Sequence, residues 1–237
     1  ARRTTQVTCL AFIVYAAISM HWRNYKVSHN SARLVALLHG DTWAALYDWN
    51  ERVLSWFGRP EEVSDQVLGV PWSSSVAGLR LADPMGVAGL LAQGQVPPAA
   101  MVAGLVVPIG LAAVGGRVFC SFLCPARLAF EGASLVRMGL QRLGVPLGEV
   151  AVPRIGLWVG LGAVMAAAGG STAVMHLALP YLALGSALAV GMMSGTVGVT
   201  AVVFGGMLVV DALVAPGQIC HSLCPTGALL EQIGRVA

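Results

Sequence analysis

The sequence predicts an all-α membrane protein of about four transmembrane helices, built as two span-span-motif repeats with amphipathic interfacial helices. Three observations lead there. Hydrophobic residues make up 57% of the 237 residues and charged residues 11%, with a mean hydropathy of +0.75, and so few charges cannot cover a water-facing surface. Uncharged apolar runs recur along the chain at lengths that suit membrane spans. A C-x-x-x-C-P motif occurs twice, from Cys120 to Pro125 and from Cys220 to Pro225, each at the end of such a run.

The first element, residues 1–22, holds an uncharged run of 17 residues, 4–20, behind Arg2 and Arg3. It is just long enough to span and is not followed by a small-residue cleavage site, so it reads as a retained signal anchor. Residues 23–98 are more polar, carry Trp43, Trp49, Trp56 and Trp72, and form the expected extracytoplasmic loop. Within it, Asp41 is expected to N-cap a helix with Trp43, Leu46, Tyr47, Val53, Leu54 and Phe57 on one face, ended by Gly58 and Pro60. That helix would lie at the membrane surface, under a partner subunit, or folded back on its own loop.

Residues 99–125 form the second span, with Pro108 as a kink, and deliver the first motif. Residues 126–154 alternate Arg127, Arg137, Arg142 and Arg154 with apolar residues, as a cytoplasmic surface segment would. Residues 155–216 hold an uncharged stretch from 155 to 210, broken only by His176 and a turn near Pro180. Two spans, 155–175 and 196–215, with an intervening hairpin are preferred there, and three spans are conceivable. Residues 217–237 carry the second motif and a cytoplasmic tail.

Charge orients this arrangement. The net charge of +3 is small and the Lys and Arg residues are dispersed, which excludes a nucleic-acid surface. Four spans put both motifs on one side, together with both termini and Arg2, Arg3, Arg117, Arg127, Arg137, Arg142, Arg154 and Arg235, against Glu131, Glu149 and Glu231. The 23–96 segment is balanced, with six basic and seven acidic residues. Because cytoplasmic loops are enriched in Lys and Arg, the motifs and termini are expected on the cytoplasmic side of a bacterial inner membrane.

The two motif regions read CSFLCPARLAFE and CHSLCPTGALLE. Cys120, Leu123, Cys124, Pro125 and Glu131 recur as Cys220, Leu223, Cys224, Pro225 and Glu231, at a constant offset of 100. Parallel repeats are related by an axis along the membrane normal, which brings equivalent elements face to face. The four cysteines Cys120, Cys124, Cys220 and Cys224 are therefore expected to converge.

Cysteines four apart on a helical turn share a face, and the proline after the second starts a new helix whose free N–H groups can stabilise thiolates. The same C-x-x-x-C-P run ends the bacterial ferredoxin motif. An iron-sulfur cluster, 4Fe-4S favoured, held by two cysteines from each repeat is the leading reading, ahead of paired redox dithiols and a structural zinc. Cys9, alone in the first span, reads as packing. Asp211 is a lone carboxylate within the apolar spans, which marks it as a functional candidate, a proton acceptor for quinol. The alternative is a helix-end acid that reaches interfacial water or pairs with Arg117. His21 and His176 read as hydrogen-bonded interfacial residues rather than ligands, and a haem is disfavoured.

The run LADPMGVAGLLAQGQVP, a span, GGRVFCSFLCP, a basic segment, two more spans and DALVAPGQICHSLCPTGAL resemble the NapH-type membrane subunits of quinol dehydrogenases, with related motifs in NosR and MauN-type proteins. The resemblance covers about residues 79–237. It implies four spans, cytoplasmic motifs, the four motif cysteines as functional residues, and like residues at Asp83-Pro84 and Asp211. The ferredoxin repeats that commonly follow the second motif in that family are absent from this sequence, and residues 23–70 are longer than its pattern needs. The function this implies is quinol oxidation, with electrons leaving to a ferredoxin-like or multihaem cytochrome redox subunit. Two alternatives are a maturation or thiol/metal-handling factor for a respiratory metalloenzyme and a structural anchor of a redox complex.

Overall fold

Prolines and glycines divide the apolar runs into a series of short helices. The computed structural model describes residues 2–26, 31–65, 67–70, 73–76, 79–116, 118–122, 124–194 and 196–236. Trp72, Arg117 and Leu123 lie outside the described residues, and with Arg117 the expected pairing to Asp211.

Helix α1 (Arg2–Lys26) is followed by a helical hairpin, α2 (Ser31–His39) and α3 (Asp41–Leu54). The hairpin turns at Gly40, whose φ of +89° suits a residue without a side chain. Trp22 of α1 meets Trp43 and Tyr47 edge-on, with ring centroids 6.4 and 5.5 Å apart, so α3 packs against the end of α1. Gly40 rather than Asp41 occupies the N-cap, and Tyr47, Asn50 and Leu54 form the buried face. Leu46 and Phe57, expected on that face, point outward, and Phe57 lies past the helix end.

Helix α4 (Pro60–Asp65) leads to a three-stranded antiparallel sheet, β1 (Val67–Val70), β2 (Ser73–Val76) and β3 (Leu79–Arg80), with Val67 opposite Val76 and Ser75 opposite Arg80. Among the described residues this small sheet is the one departure from an all-α chain. Helix α5 (Pro84–Ala92) starts at Asp83, whose Oδ1 accepts the Met85 N–H at 3.1 Å.

The expected second span is two helices, α6 (Ala99–Gly104) and α7 (Val106–Gly115). The break has a local cause: Pro108 offers no N–H to the Gly104 carbonyl and its ring crowds that carbonyl. The 155–216 region divides likewise into α10 (Gly156–Ala168), α11 (Ala173–Ala178), α12 (Pro180–Ser194) and α13 (Val199–Leu213), with a break before Pro180. Among the described residues no helix is long and apolar enough to cross a membrane. Helices α10, α12 and α13 have 13, 15 and 15 residues, about 20–22 Å at the α-helical rise, against a hydrocarbon core of about 30 Å. The single-helix spans expected at 99–119, 155–175 and 196–215 are corrected accordingly, and so is the first, expected at 4–20, because α1 with its 25 residues is long enough but not apolar enough.

The first motif lies between α8 (Val118–Phe122) and α9 (Pro125–Arg142), the second between a π-helical turn (Ile219–Leu223) and α14 (Pro225–Val236). The helix after each motif packs on the apolar helix that precedes the other: α9 on α13, and α14 on α7. Phe130 and Phe204 seal the first contact with rings 5.9 Å apart at 64°. In the second, Gly234 approaches Gly116 and the Ala112 carbonyl so closely that a side-chain carbon would sit 2.6 Å from Gly116 Cα. This exchange between the repeats is what draws the motifs together. Apolar side chains remain on the outside, among them Val106 and Val114 of α7, Trp158 and Met165 of α10, and Val202 and Val209 of α13.

Candidate metal centre

Each motif is a short helical turn that stops at its second cysteine. Cys124 has extended backbone angles, φ −72° and ψ 114°, and stands at the N-cap of α9 with Pro125 in the first helical position. Cys224 repeats this at φ −66° and ψ 116°, ahead of Pro225. The proline forces the extended conformation on the residue before it, so the C-P pair itself sets the junction. The turns differ. Cys120 sits in an α-helical turn and Cys220 in a π-helical one, closed by the Cys224 N–H to the Ile219 carbonyl at 2.9 Å. Such π turns frequently occur at functional sites.

The four cysteines line one cavity of about 250 Å³, whose walls also include Arg127, Phe130, Glu131, Ser134, Gly217, His221 and Gly227. All four are half-buried. Gly227 keeps the cavity open on the side of the second motif: a side-chain carbon there would lie 3.8 Å from Cys224 Sγ and 3.3 Å from the Cys220 carbonyl. Among the described residues no three Cys, His, Asp or Glu side chains are close enough to share a single ion. The thiols instead surround a space far larger than the ~10–15 Å³ that admits one water. Four soft thiol donors around a polyatomic space fit an iron-sulfur cluster.

Electrostatics agrees with this convergence. Burial pushes the Cys224 thiol up to about 12, opposed by the Gly227 and Thr226 N–H groups and reinforced by Cys124. Burial raises Cys220 well above the ordinary thiol value, and Cys224 and Cys124 add to the rise. Burial also raises Cys124, against the N–H groups of Arg127 and Ala126 at the start of α9. Thiols packed this way resist ionising beside one another, and a bound cationic centre supplies the compensating charge. Cys9 lies near enough to Cys124 to contribute to its electrostatics, a proximity its position in the sequence did not suggest.

Asp211 is 1% exposed near the end of α13; among the described residues neither carboxylate oxygen makes a close hydrogen bond, although the Gly217 and Ile219 N–H groups lie near enough to act on it. It does not line the cavity but lies within electrostatic reach of Cys220. Arg137, expected at the surface, is buried instead: its guanidinium donates to the carbonyls of Ala212 at 3.0 Å, Gly148 at 2.9 Å and Leu147 at 3.3 Å, with Glu149 at 3.6 Å. It thereby caps the C-terminal end of α13, where a cation is favoured, and acts electrostatically on Asp211. His176 is exposed and its Nδ1 hydrogen-bonds Ser186 Oγ at 2.9 Å.

Behind the second motif lies a network that the sequence does not reveal. Tyr181, at the start of α12, donates its hydroxyl to Asp83 Oδ2, and its oxygen lies 3.3 Å from Thr226 Oγ1, two residues past Cys224. All three residues are buried. Burial raises the Asp83 carboxyl to about 6, while its bonds from Tyr181 and the Met85 N–H hold it lower than burial alone would. Asp83 is visible in sequence as a residue before proline. Tyr181 has only one signal, a lone tyrosine just after Pro180 in an apolar stretch.

The fold and site thus define a helical protein with a four-cysteine, cluster-sized cavity between two repeats. The sequence model of the 4Fe-4S binding domain family matches residues 97–142 and 187–237, one motif in each block. The chain is similar to the methylamine utilization ferredoxin-type protein MauN of Methylorubrum extorquens, 27% identical over 183 residues, which cover 77% of this chain and 58% of that protein. It is similar also to MauN of Paracoccus denitrificans, 29% identical over 181 residues, covering 76% of this chain and 58% of that one. The match therefore reaches less than two thirds of the length of these relatives. No solved structure matches. The comparisons thus give the chain a likeness to ferredoxin-type proteins and place a 4Fe-4S binding match on each motif.

Proposed function

We propose that this chain is a NapH-like membrane subunit that oxidises quinol and passes the electrons to a ferredoxin-like or multihaem cytochrome partner. The observation that carries the reading is the convergence of Cys120, Cys124, Cys220 and Cys224, two from each repeat, on one cavity. These four would hold a 4Fe-4S cluster, which supplies one-electron transfer when bound. The chain's own contribution is a set of thiols positioned at helix junctions, with backbone N–H groups at the Cys124 and Cys224 sulfurs.

Membrane residence is supported by the outward-facing valines, Trp158 and Met165 on α7, α10 and α13, since large apolar side chains exposed in such number seek lipid or protein cover. Because these helices are short, the bilayer would be crossed by consecutive segments such as α6 with α7 rather than by single straight helices. The arginine distribution supports a bacterial inner membrane with the motifs on the cytoplasmic side. Quinol oxidation releases two protons, and Asp211, a carboxylate buried near the second motif, is the proposed acceptor for one of them.

The test is iron and acid-labile sulfide analysis of the purified protein, with electron paramagnetic resonance after reduction. Iron with matching sulfide and a signal lost in both Cys120→Ser and Cys224→Ser is the expected result, with membrane insertion unchanged. Iron-free protein, or normal quinol-dependent reduction of the partner in those variants, removes the reading.

A further inference from the structure

The two glutamates that recur at the offset of 100 are each held by two arginines. Glu131 pairs with Arg127, four residues earlier on α9 and 3.4 Å away, and with Arg2 of α1. Glu231 pairs with Arg235, four residues later on α14, and with Arg154, 3.8 Å away in the segment before α10. The arginines are not related by the repeat: the counterpart of Arg127 is Gly227 and that of Arg235 is Leu135. The two halves reach the same Arg-Glu-Arg arrangement by different routes.

These clusters stand at the cysteine cavity. Arg127 and Glu131 line it, while Arg154, Glu231 and Arg235 line a smaller pocket of about 60 Å³ that shares His221 with it. The four arginine side chains are 37–62% exposed. Exposed ion pairs of this kind do little for stability. Four guanidinium groups against two carboxylates leave the rim positive, and an exposed field of one sign steers and orients a partner of the other.

We propose that this rim is the docking surface for the protein that exchanges electrons with the centre, and that this partner presents an acidic patch. The inference rests on the cluster reading above. In the exchange one electron leaves the reduced centre and enters the partner's own metal, and no bond forms or breaks. Arg2 and Arg127 on one side and Arg154 and Arg235 on the other clamp the acidic patch across the cavity mouth, setting the shortest path to the cysteines.

Reduced, iron-bearing protein is mixed with plastocyanin, an acidic copper protein, and separately with mitochondrial cytochrome c, a basic haem protein, as one-electron acceptors. The rate with plastocyanin is expected to fall about tenfold or more as salt rises from about 0.01 to 0.2 M, and the rate with cytochrome c to rise or stay level. The double variant Arg154→Gln with Arg235→Gln flattens the plastocyanin dependence at unchanged iron content. Equal salt slopes for the two acceptors overturn the proposal, as does a variant that keeps the wild-type plastocyanin slope. A variant that loses binding to phosphatidylglycerol vesicles while its plastocyanin kinetics stay intact overturns it in favour of a lipid-facing rim. Iron-free protein overturns the cluster reading instead, and the rim is then read on the cysteine thiols. Their reaction with dianionic dithiobis-nitrobenzoate should slow with salt in the wild type and less so in the variant, and identical slopes overturn the docking surface.

Discussion

The two motifs present the same cysteines and the same C-P junction but are supported in different ways. Around the first, support comes from α1, where Gln6 Nε2 donates to the Ser121 carbonyl at 2.9 Å and Arg2 reaches Glu131. Around the second, support is close-packed and polar. Ser222 of the π turn donates to the Gln218 side chain just before it at 2.9 Å, Tyr181 ties Asp83 to Thr226, and two glycines of α10 press against the motif itself. A side-chain carbon at Gly156 would lie 2.9 Å from the Cys224 carbonyl, and one at Gly160 would lie 3.0 Å from Pro225. The lesson is that repetition in sequence fixes the ligand chemistry, while each copy recruits its own scaffold to hold it.

If that difference governs how the cysteines are held, filling space behind the second motif carries the largest effect. Gly156→Leu has no room: besides the Cys224 carbonyl, Ala228 Cβ would lie 3.0 Å from the added side-chain carbon. Overpacking of this kind costs about 1–3 kcal/mol and occasionally more, and here it displaces a cysteine as well. The expected outcome is loss of most bound iron together with a lowered urea midpoint. Wild-type iron content in this variant would mean that α10 does not hold the second motif.

The convergence of the cysteines was legible because the offset of 100 is constant across the repeated Cys, Leu, Pro and Glu positions, and a repeat with fixed orientation leaves few ways to place its halves. The helix lengths were not legible. A run without charges reports that a segment avoids water, and it does so equally for one long helix or for two short ones. The information was present locally, since Pro108 marks the carbonyl of Gly104 as the break, but a kink and a break read alike in sequence. Arg137 was misplaced for a related reason: a charge in an amphipathic segment defaults to the surface, and its carbonyl partners at 147, 148 and 212 are brought to it only by the fold. The Asp83–Tyr181–Thr226 network joins residues 98 and 45 positions apart, a span over which no periodicity speaks.

That network places a titratable carboxyl behind the second motif. The Asp83 carboxyl is raised from 3.8 to about 6 by burial, so the folded protein binds this proton more tightly than the unfolded chain. The stabilisation is fully present below the unfolded value and is lost as pH rises through about 6. A shift of this size corresponds to about 3 kcal/mol at most. Unfolding midpoints measured from about pH 4 to pH 7 should therefore fall for the wild type relative to Asp83→Asn, which lacks the titrating proton. Parallel profiles for the two proteins would show that Asp83 is not the group responsible.

The smallest effect is expected at the first motif. Gln6 is fully buried, yet its Oε1 has no hydrogen-bond partner among the described residues, so the side chain is not fully satisfied there. Gln6→Leu removes that atom along with the donor to Ser121, and the two changes oppose each other. Loss of a neutral hydrogen bond costs about 1 kcal/mol, while relief of an unsatisfied buried polar atom is of similar size. The variant should unfold within about 1 kcal/mol of wild type and keep its iron, whereas Gly156→Leu should not. Should Gln6→Leu instead lose iron as completely as Gly156→Leu, the first motif would depend on α1 as strictly as the second depends on α10. The asymmetry between the two halves would then lie in their contacts alone and not in how firmly each holds its cysteines.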